Sequence, residues 1–281
     1  MREITVEQIK EQIVSLCLKA ACDLPKDVRQ AIAGAAETEL SPLGRSILNQ
    51  LIENYRLAAE GRVPICQDTG VAIFFVDIGQ DVRISGGSLR EALAEATAIA
   101  WKEGYLRMSV VHDPLFTRKN TGVNGPPIVH VNIVSGDMLK ITVALNGGGS
   151  ESMSRIAMLR PTAGAPAIAD FIYETVVLAG GNPCPPVIVG VGVGGNFEMA
   201  AILAKRALFR PLGQTNPDAK YAEFEKKMLE RINDSGIGPQ GLGGRTTALA
   251  VHVEHHPCHM ASLPVAVNLN CHAARHASLE I

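Results

Sequence analysis

Short runs of branched apolar residues alternate with amphipathic segments along this chain, and this alternation restricts the fold more than any other feature. The runs VAIFFVDI at 71–78 and VIVGV at 187–191 have the length and composition of buried strands. Four more strand-like runs follow the same pattern: PIVHVNIV and LKITVAL, expected to form a hairpin-like pair, then RTTALAVHVEHH and VAVNLNC. The pattern predicts an α/β fold, with a mixed sheet and covering helices.

Apolar residues recur at helical spacing in the segments between these strands. The predicted helices are 5–22, 41–60, 88–104, 164–179, 196–208 and 217–234. Ser41 and Ser88 stand where N-caps are expected. Since there is no repeat, low-complexity tract or clear linker, we expect a single domain over 1–281 with a helical amino-terminal portion.

Composition narrows the class of protein. Of 281 residues, 47% are hydrophobic and 19% charged, which is enough for a sizeable core. The net charge of -2, with scattered Lys and Arg, argues against a nucleic-acid surface. The amino terminus, MREITVEQIKEQ, lacks the apolar segment of a signal peptide, and no apolar stretch approaches ~20 residues. We therefore expect a soluble, cytoplasmic protein without a membrane span.

The six cysteines are spaced irregularly, which disfavours disulfides in a long cytoplasmic chain. Cys17 and Cys22 lie in a helical pattern and are predicted to pack in a core. Cys66 differs, because VPICQDTG places it beside an amide and a carboxylate in a loop. Cys184, in GGNPCPP, is held by three prolines, so this turn is either structural or built to position a thiolate.

Cys258 and Cys271 lie in a histidine-rich segment, since six of the eight histidines fall within 252–276. Clustered His and Cys suggest a metal, and zinc is one candidate. However, the segment has no C-x-x-C, and its spacing matches no zinc finger or ribbon. His252, His255 and His256 are equally compatible with solvated strand-end positions.

Two glycine-rich segments and one arginine have alternative interpretations. GVGVGG at 190–195 fits a dinucleotide-binding pattern, but no second strand presents Asp218 as the acidic residue. Close backbone packing or approach to a ligand explains those glycines better. The run 147–149 is either an anion-binding nest or a flexible turn, and Arg107 is either a carboxylate ligand or a surface residue.

Four of these motifs together resemble one family. VPICQDTG, NGGGSESMS, GGNPCPPVIVGVGVGG and HMASLPVAVNLNCHAARH are similar, in order, to the amino-terminal half of class I iron–sulfur fumarate hydratases and the related tartrate dehydratases. The resemblance extends from about residue 10 to the end. It implies a separate α subunit that acts with a smaller β subunit in an α–β hetero-oligomer. The chain's stop soon after the histidine-rich segment agrees with a site completed by another chain.

The resemblance also implies a cofactor. Three cysteines of such proteins ligate a [4Fe-4S] cluster and leave one iron open; by motif these are Cys66, Cys184 and Cys271. Cys258 is the rival for the third position. An iron–sulfur cluster otherwise takes four thiolates, so the open iron would act as a Lewis acid.

The remaining site residues follow from the same resemblance. Gln67, Arg107, Gly148 and Gly149 would bind the carboxylates of a C4 dicarboxylate substrate. Asp68 would orient or protonate its hydroxyl group, and His259 would relay a proton or contact a carboxylate.

The implied activity is reversible hydration of fumarate to L-malate, with L(+)-tartrate dehydration to oxaloacetate as the alternative. Family members often carry a lysine where this chain has Asn146, so the motif does not choose between them. A zinc-dependent hydrolase and an NAD-binding module remain as more distant alternatives.

Overall fold

Two mixed β-sheets, each packed against helices, organise residues 2–281, the part of the chain that the computed structural model describes. The helices are α1 Val6–Cys22, α2 Lys26–Thr38, α3 Pro42–Gly61, α4 Leu89–Glu103, α5 Gly148–Glu151, α6 Gly164–Ala179, α7 Phe197–Ala207 and α8 Ala219–Asn233. The strands are β1 Arg2–Thr5, β2 Val71–Gly79, β3 Val82–Ser85, β4 Ile128–Val134, β5 Leu139–Asn146, β6 Arg155–Leu159, β7 Val187–Gly194, β8 Ala248–His256, β9 Leu263–Asn270 and β10 His276–Glu280.

The chain divides into two units. The first contains the described residues up to Pro25, Asn54–Gly148 and Ala273–Ile281, and the second contains Lys26–Glu53 and Gly149–His272. The α/β class, the mixed sheets and the helical amino-terminal portion are confirmed. No helix within residues 2–281 is both long and apolar enough to cross a membrane.

The first unit is built on a sheet with strand order β10-β5-β2-β4. Its core includes Ile13 of α1, Trp101 of α4 and Phe74 of β2, all fully buried. In each of these elements the apolar residues of this core lie on one face. The helices and the sheet therefore bury these apolar faces against each other.

The predicted hairpin between β4 and β5 is wrong. Strand β2 lies between them, pairing in parallel with β4 and antiparallel with β5. The apolar patterns of β4 and β5 identified both strands correctly. The neighbours of each strand depend on which strand fills the centre of the sheet. Strand β2 can take that place because it has five consecutive buried residues and is therefore buried on both faces.

The second unit is built on a sheet with strand order β6-β9-β7-β8, in which β7 and β8 run parallel. Apolar residues of α6 and α8 pack with the valines on one face of this sheet, such as Val189 and Val251. Helix α7 packs on the other face through Ala200 and Ala204.

The glycine pattern of β7 follows from this packing. Val189 and Val191 point to the core shared with α6 and α8, whereas Gly190 and Gly192 face α7. A Cβ on Gly192 would lie 2.6 Å from the Ala204 nitrogen. The glycines of GVGVGG therefore allow a helix to approach a strand closely, which is one of the two explanations that the sequence favoured.

All six predicted helices are confirmed within two residues. Ser88 accepts a hydrogen bond from Glu91 N, and Ser41 accepts one from Gly44 N, so both predicted N-caps are present. Sequence reasoning missed α2, whose buried stripe consists of only Val28, Ile32 and Ala36. It also missed the short strands β1, β3, β6 and β10.

Gly192→Ala tests the close packing of α7 on β7. The added methyl group must displace the α7 backbone, so we expect the free energy of unfolding to fall by about 3 kcal/mol. Gly34→Ala is the control, because Gly34 lies in α2 and a Cβ added there would have no atom within 4 Å. It should raise stability by about 0.5–1 kcal/mol. Chemical denaturation measures both, and equal effects would contradict the packing argument.

Candidate active site

The loop that follows α3 carries Cys66 and is held at its base by hydrogen bonds to the main chain of Ile65. Ile65 is buried; its N–H donates to Ala21 O at 3.1 Å, and its carbonyl accepts from Asn54 Nδ2 at 3.0 Å. Cys66 is half-buried, with Sγ 3.3 Å from Gln67 Oε1. Helices α1 and α3 thus fix the backbone of the loop, while a thiol and an amide remain near the surface.

The Asp68 carboxylate is the centre of the site in the first unit. Its Oδ1 accepts a hydrogen bond from Gly70 N at 2.9 Å, and its Oδ2 accepts one from Gly148 N at 2.7 Å. Arg107 Nη2 lies 3.5 Å from Oδ1. The structure therefore brings together Asp68, Arg107 and Gly148, which are far apart in sequence.

The guanidinium of Arg107 remains partly free to bind a ligand. Its side chain is 56% exposed, against 23% for the side chain of Asp68. Its Nε donates to Ser109 Oγ at 3.2 Å. A guanidinium beside a carboxylate, with its fork open to solvent, can accept a second carboxylate.

Gly70 is required by the backbone around Asp68. Its φ of +73° lies in the left-handed region, and a Cβ there would be 2.6 Å from the Asn146 carbonyl carbon. The Asp68 loop and the end of β5 therefore touch main chain to main chain.

Two buried polar side chains connect this loop to the Arg107 segment. Thr69 Oγ1 accepts from Trp101 Nε1 at 3.1 Å and donates to Arg107 O at 2.8 Å. Asn124 donates from Nδ2 to Gly70 O at 3.1 Å, and its Oδ1 accepts from Ser109 N at 2.6 Å. Sequence reasoning missed both roles. Trp101, the only tryptophan, was a possible signal, since a buried indole N–H requires an acceptor.

Within the second unit, the turns that carry Cys184 and Cys271 are neighbours. His272 N donates to Cys184 O at 3.4 Å. Cys184 is exposed and has a φ of +56°, uncommon for a residue with a side chain. Cys271 follows the last residue of β9 and is half-buried. Gly149 belongs to the same region, because a Cβ added to it would lie 3.4 Å from Asn182 O.

The histidine-rich segment separates into different environments. His252 is buried in β8, and its Nδ1 lies 3.1 Å from Ala207 O, so a solvated position is wrong for this residue. Burial and the charge of Arg210 lower the pKa of His252 to about 4, which keeps it neutral. His255 and His256 are exposed at the end of β8, as one interpretation expected.

Cys258 and His259 lie in the exposed turn that leads to β9. Cys258 Sγ is 3.4 Å from Ser262 O, and His259 Nδ1 accepts from Ala261 N at 3.1 Å. The two side chains are thus held by hydrogen bonds within their own turn.

The cysteines fall into two chemical groups. Cys17 and Cys22 pack in the first unit's core, as predicted; burial raises the pKa of Cys17 to about 12 and also raises that of Cys22. The other four, Cys66, Cys184, Cys258 and Cys271, lie on loops at or near the surface. Such thiols suit the thiolate ligands of an iron–sulfur group. Within residues 2–281, no three His, Cys, Asp or Glu side chains form a group ready to hold a single metal ion.

Comparison with known proteins assigns the family. Residues 10–280 match the family described as fumarate hydratase (Fumerase). The chain therefore belongs to the class I fumarate hydratase family of iron–sulfur hydro-lyase α subunits and domains.

Its relatives have more specific names. A Methanocaldococcus jannaschii protein, provisionally named L(+)-tartrate dehydratase subunit alpha, is 42% identical over 96% of both chains. The L(+)-tartrate dehydratase subunit alpha of Escherichia coli K12 is 33% identical, covering 99% of this chain and 92% of its own.

Thr69→Val tests the buried connection between the Asp68 loop and the Arg107 segment. Valine has the same shape but no hydroxyl, so Trp101 Nε1 and Arg107 O each lose a partner. We expect the free energy of unfolding to fall by about 2–3 kcal/mol. Thr69→Ser keeps the hydroxyl and should cost less. Thermal unfolding in which both variants lose equal stability would show that the hydrogen bonds contribute nothing beyond packing.

Proposed function

We propose that this chain is the α subunit of an L(+)-tartrate dehydratase, which removes water from tartrate to give oxaloacetate. The names of relatives that match it over more than nine-tenths of their length support this substrate. The observation that carries the reaction class is the Asp68 carboxylate, held by Gly148 N–H beside the exposed Arg107 fork. This arrangement can bind a carboxylate and place an acid or hydrogen-bond acceptor next to it.

The chain's own residues would divide the work as follows. Arg107 grips one substrate carboxylate bidentately, and Gln67 donates to the same group from its amide nitrogen. Asp68 orients the leaving hydroxyl group or gives it a proton. Gly148 N–H donates to Asp68 in this structure, so Gly148 would act mainly by positioning that carboxylate, while Gly149 offers its N–H to the substrate.

Cys66, Cys184 and Cys271 would hold a [4Fe-4S] cluster, with Cys258 as the rival third ligand. The thiol chemistry and loop positions of the three residues support this assignment. When bound, a cluster with one open iron supplies a Lewis acid that weakens the bond to the leaving hydroxyl. His259 would relay a proton or contact the second carboxylate.

Reversible hydration of fumarate to L-malate is the second candidate. The description of the matching family favours it, because that description names fumarate hydratase. Both reactions remove or add water across two adjacent carbons of a C4 dicarboxylate. They need the same carboxylate contacts and differ by one substrate hydroxyl.

A β subunit would complete the enzyme as an α–β hetero-oligomer. The relatives are named as α subunits, which supports such a partner. The base that removes the carbon-bound proton and further cationic carboxylate ligands would come from that partner. Six irregularly spaced cysteines support a reducing compartment such as the cytoplasm.

The test is anaerobic reconstitution of this chain with its β partner, followed by parallel assays on L-tartrate, fumarate and L-malate. We expect a higher kcat/KM for L-tartrate, and little or no turnover by the α chain alone. A higher value for fumarate would establish the second candidate instead. No turnover of any of the three acids by a folded, cluster-loaded complex would refute both.

Asp68→Asn isolates the proposed chemical role of the carboxylate. The amide keeps the size of the side chain but loses its charge and basicity, so kcat should fall about 10²- to 10⁴-fold. Cluster absorbance should be unchanged. Asp77→Asn is the matched control, because Asp77 lies in β2 and accepts from Asn132 Nδ2. Undiminished kcat in Asp68→Asn would remove this residue from the mechanism.

A further inference from the structure

Arg275 is a fully buried cation in the first unit. Only 1% of the surface of this residue is exposed. Its Nε and Nη1 atoms have no hydrogen-bond partner among residues 2–281, although both are shielded from solvent. A buried charge without a partner is costly, so a guanidinium in this position points to an anion outside the described residues.

The backbone fixes Arg275 beside the site described above. Its carbonyl accepts from Leu145 N at 3.0 Å, which holds it against the end of β5, and β10 begins at the next residue. A Cβ added to Gly147 would lie 3.1 Å from Asp68 Oδ2 and 3.7 Å from Arg275 Nη2. The carboxylate and the guanidinium therefore approach each other across Gly147, where no side chain comes between them.

The three charged side chains on this side of the first unit do not balance one another. Arg107 and Arg275 contribute two positive charges and Asp68 contributes one negative charge, whose oxygens already accept from Gly70 N and Gly148 N. One more carboxylate would balance the site and could accept hydrogen bonds from a planar fork.

We propose that Arg275 is a substrate-binding residue that takes a carboxylate of the C4 dicarboxylate on the side of Asp68 nearest Gly147. This inference rests on the proposed hydro-lyase function and adds a second arginine to Arg107. The two guanidinium groups bind the substrate from within this chain, before any contribution from the β subunit.

The experiment uses the cluster-loaded complex with Arg275→Gln and Arg275→Lys. Succinate, an unreactive C4 dicarboxylate, serves as the probe through its inhibition constant against the best substrate. We expect Arg275→Gln to raise this constant and KM about 10- to 100-fold, with a smaller change in kcat. Arg275→Lys, which keeps the charge without the fork, should lie between it and the wild type.

Arg231→Gln is the matched control, because Arg231 forms a surface ion pair with Asp170. It should leave succinate inhibition unchanged. Circular dichroism, thermal unfolding and cluster absorbance are measured on every variant. If Arg275→Gln does not fold, Arg275→Lys decides the outcome.

Unchanged succinate inhibition in a folded Arg275 variant overturns the inference. So does an altered cluster spectrum with unchanged inhibition, which would show that the guanidinium serves the cluster instead. A wild-type complex without activity on any of the acids contradicts the proposed function. An active wild type with normally inhibited variants contradicts only the role of Arg275.

Discussion

The hydrogen bond from Gly148 N to Asp68 is the interaction on which the candidate site depends. It joins the loop before β2 to the turn after β5, which are separated by 80 residues. A carboxylate that accepts main-chain N–H groups is oriented without a flexible partner, and its charge is stabilised at low entropic cost. The two loops then form one surface, and Arg107 has a defined orientation beside the Asp68 carboxylate.

The polar groups beneath this surface explain why an exposed loop can be precise enough for chemistry. Thr69 and Asn124 are buried, and each bridges two segments through both donor and acceptor atoms. Their bonds are satisfied inside the protein, where an unmade bond is expensive. Thus the geometry of Asp68 and Arg107 comes from residues that would never touch a substrate.

Charge organises the same region. Asp68 lies near two guanidinium groups, one open to solvent and the other buried without a described partner at Nε and Nη1. A further anion would balance these charges. The thiols are also divided by their surroundings. Burial raises the pKa of the two in the core, whereas Cys66, Cys184, Cys258 and Cys271 lie on loops.

Local pattern alone determined much of this protein. Apolar periodicity and serine caps placed six helices, and a short apolar run identified β7, because these features depend on residues near in sequence. The motifs around Cys66 and Cys184 predicted a loop and a turn for these two cysteines, as the structure has them. Only the tertiary structure decided that β2 separates β4 from β5, that His252 is buried, and that Arg275 lies beside Asp68. These outcomes depend on contacts between distant segments, where packing and the burial of charge choose among arrangements that local pattern leaves equal.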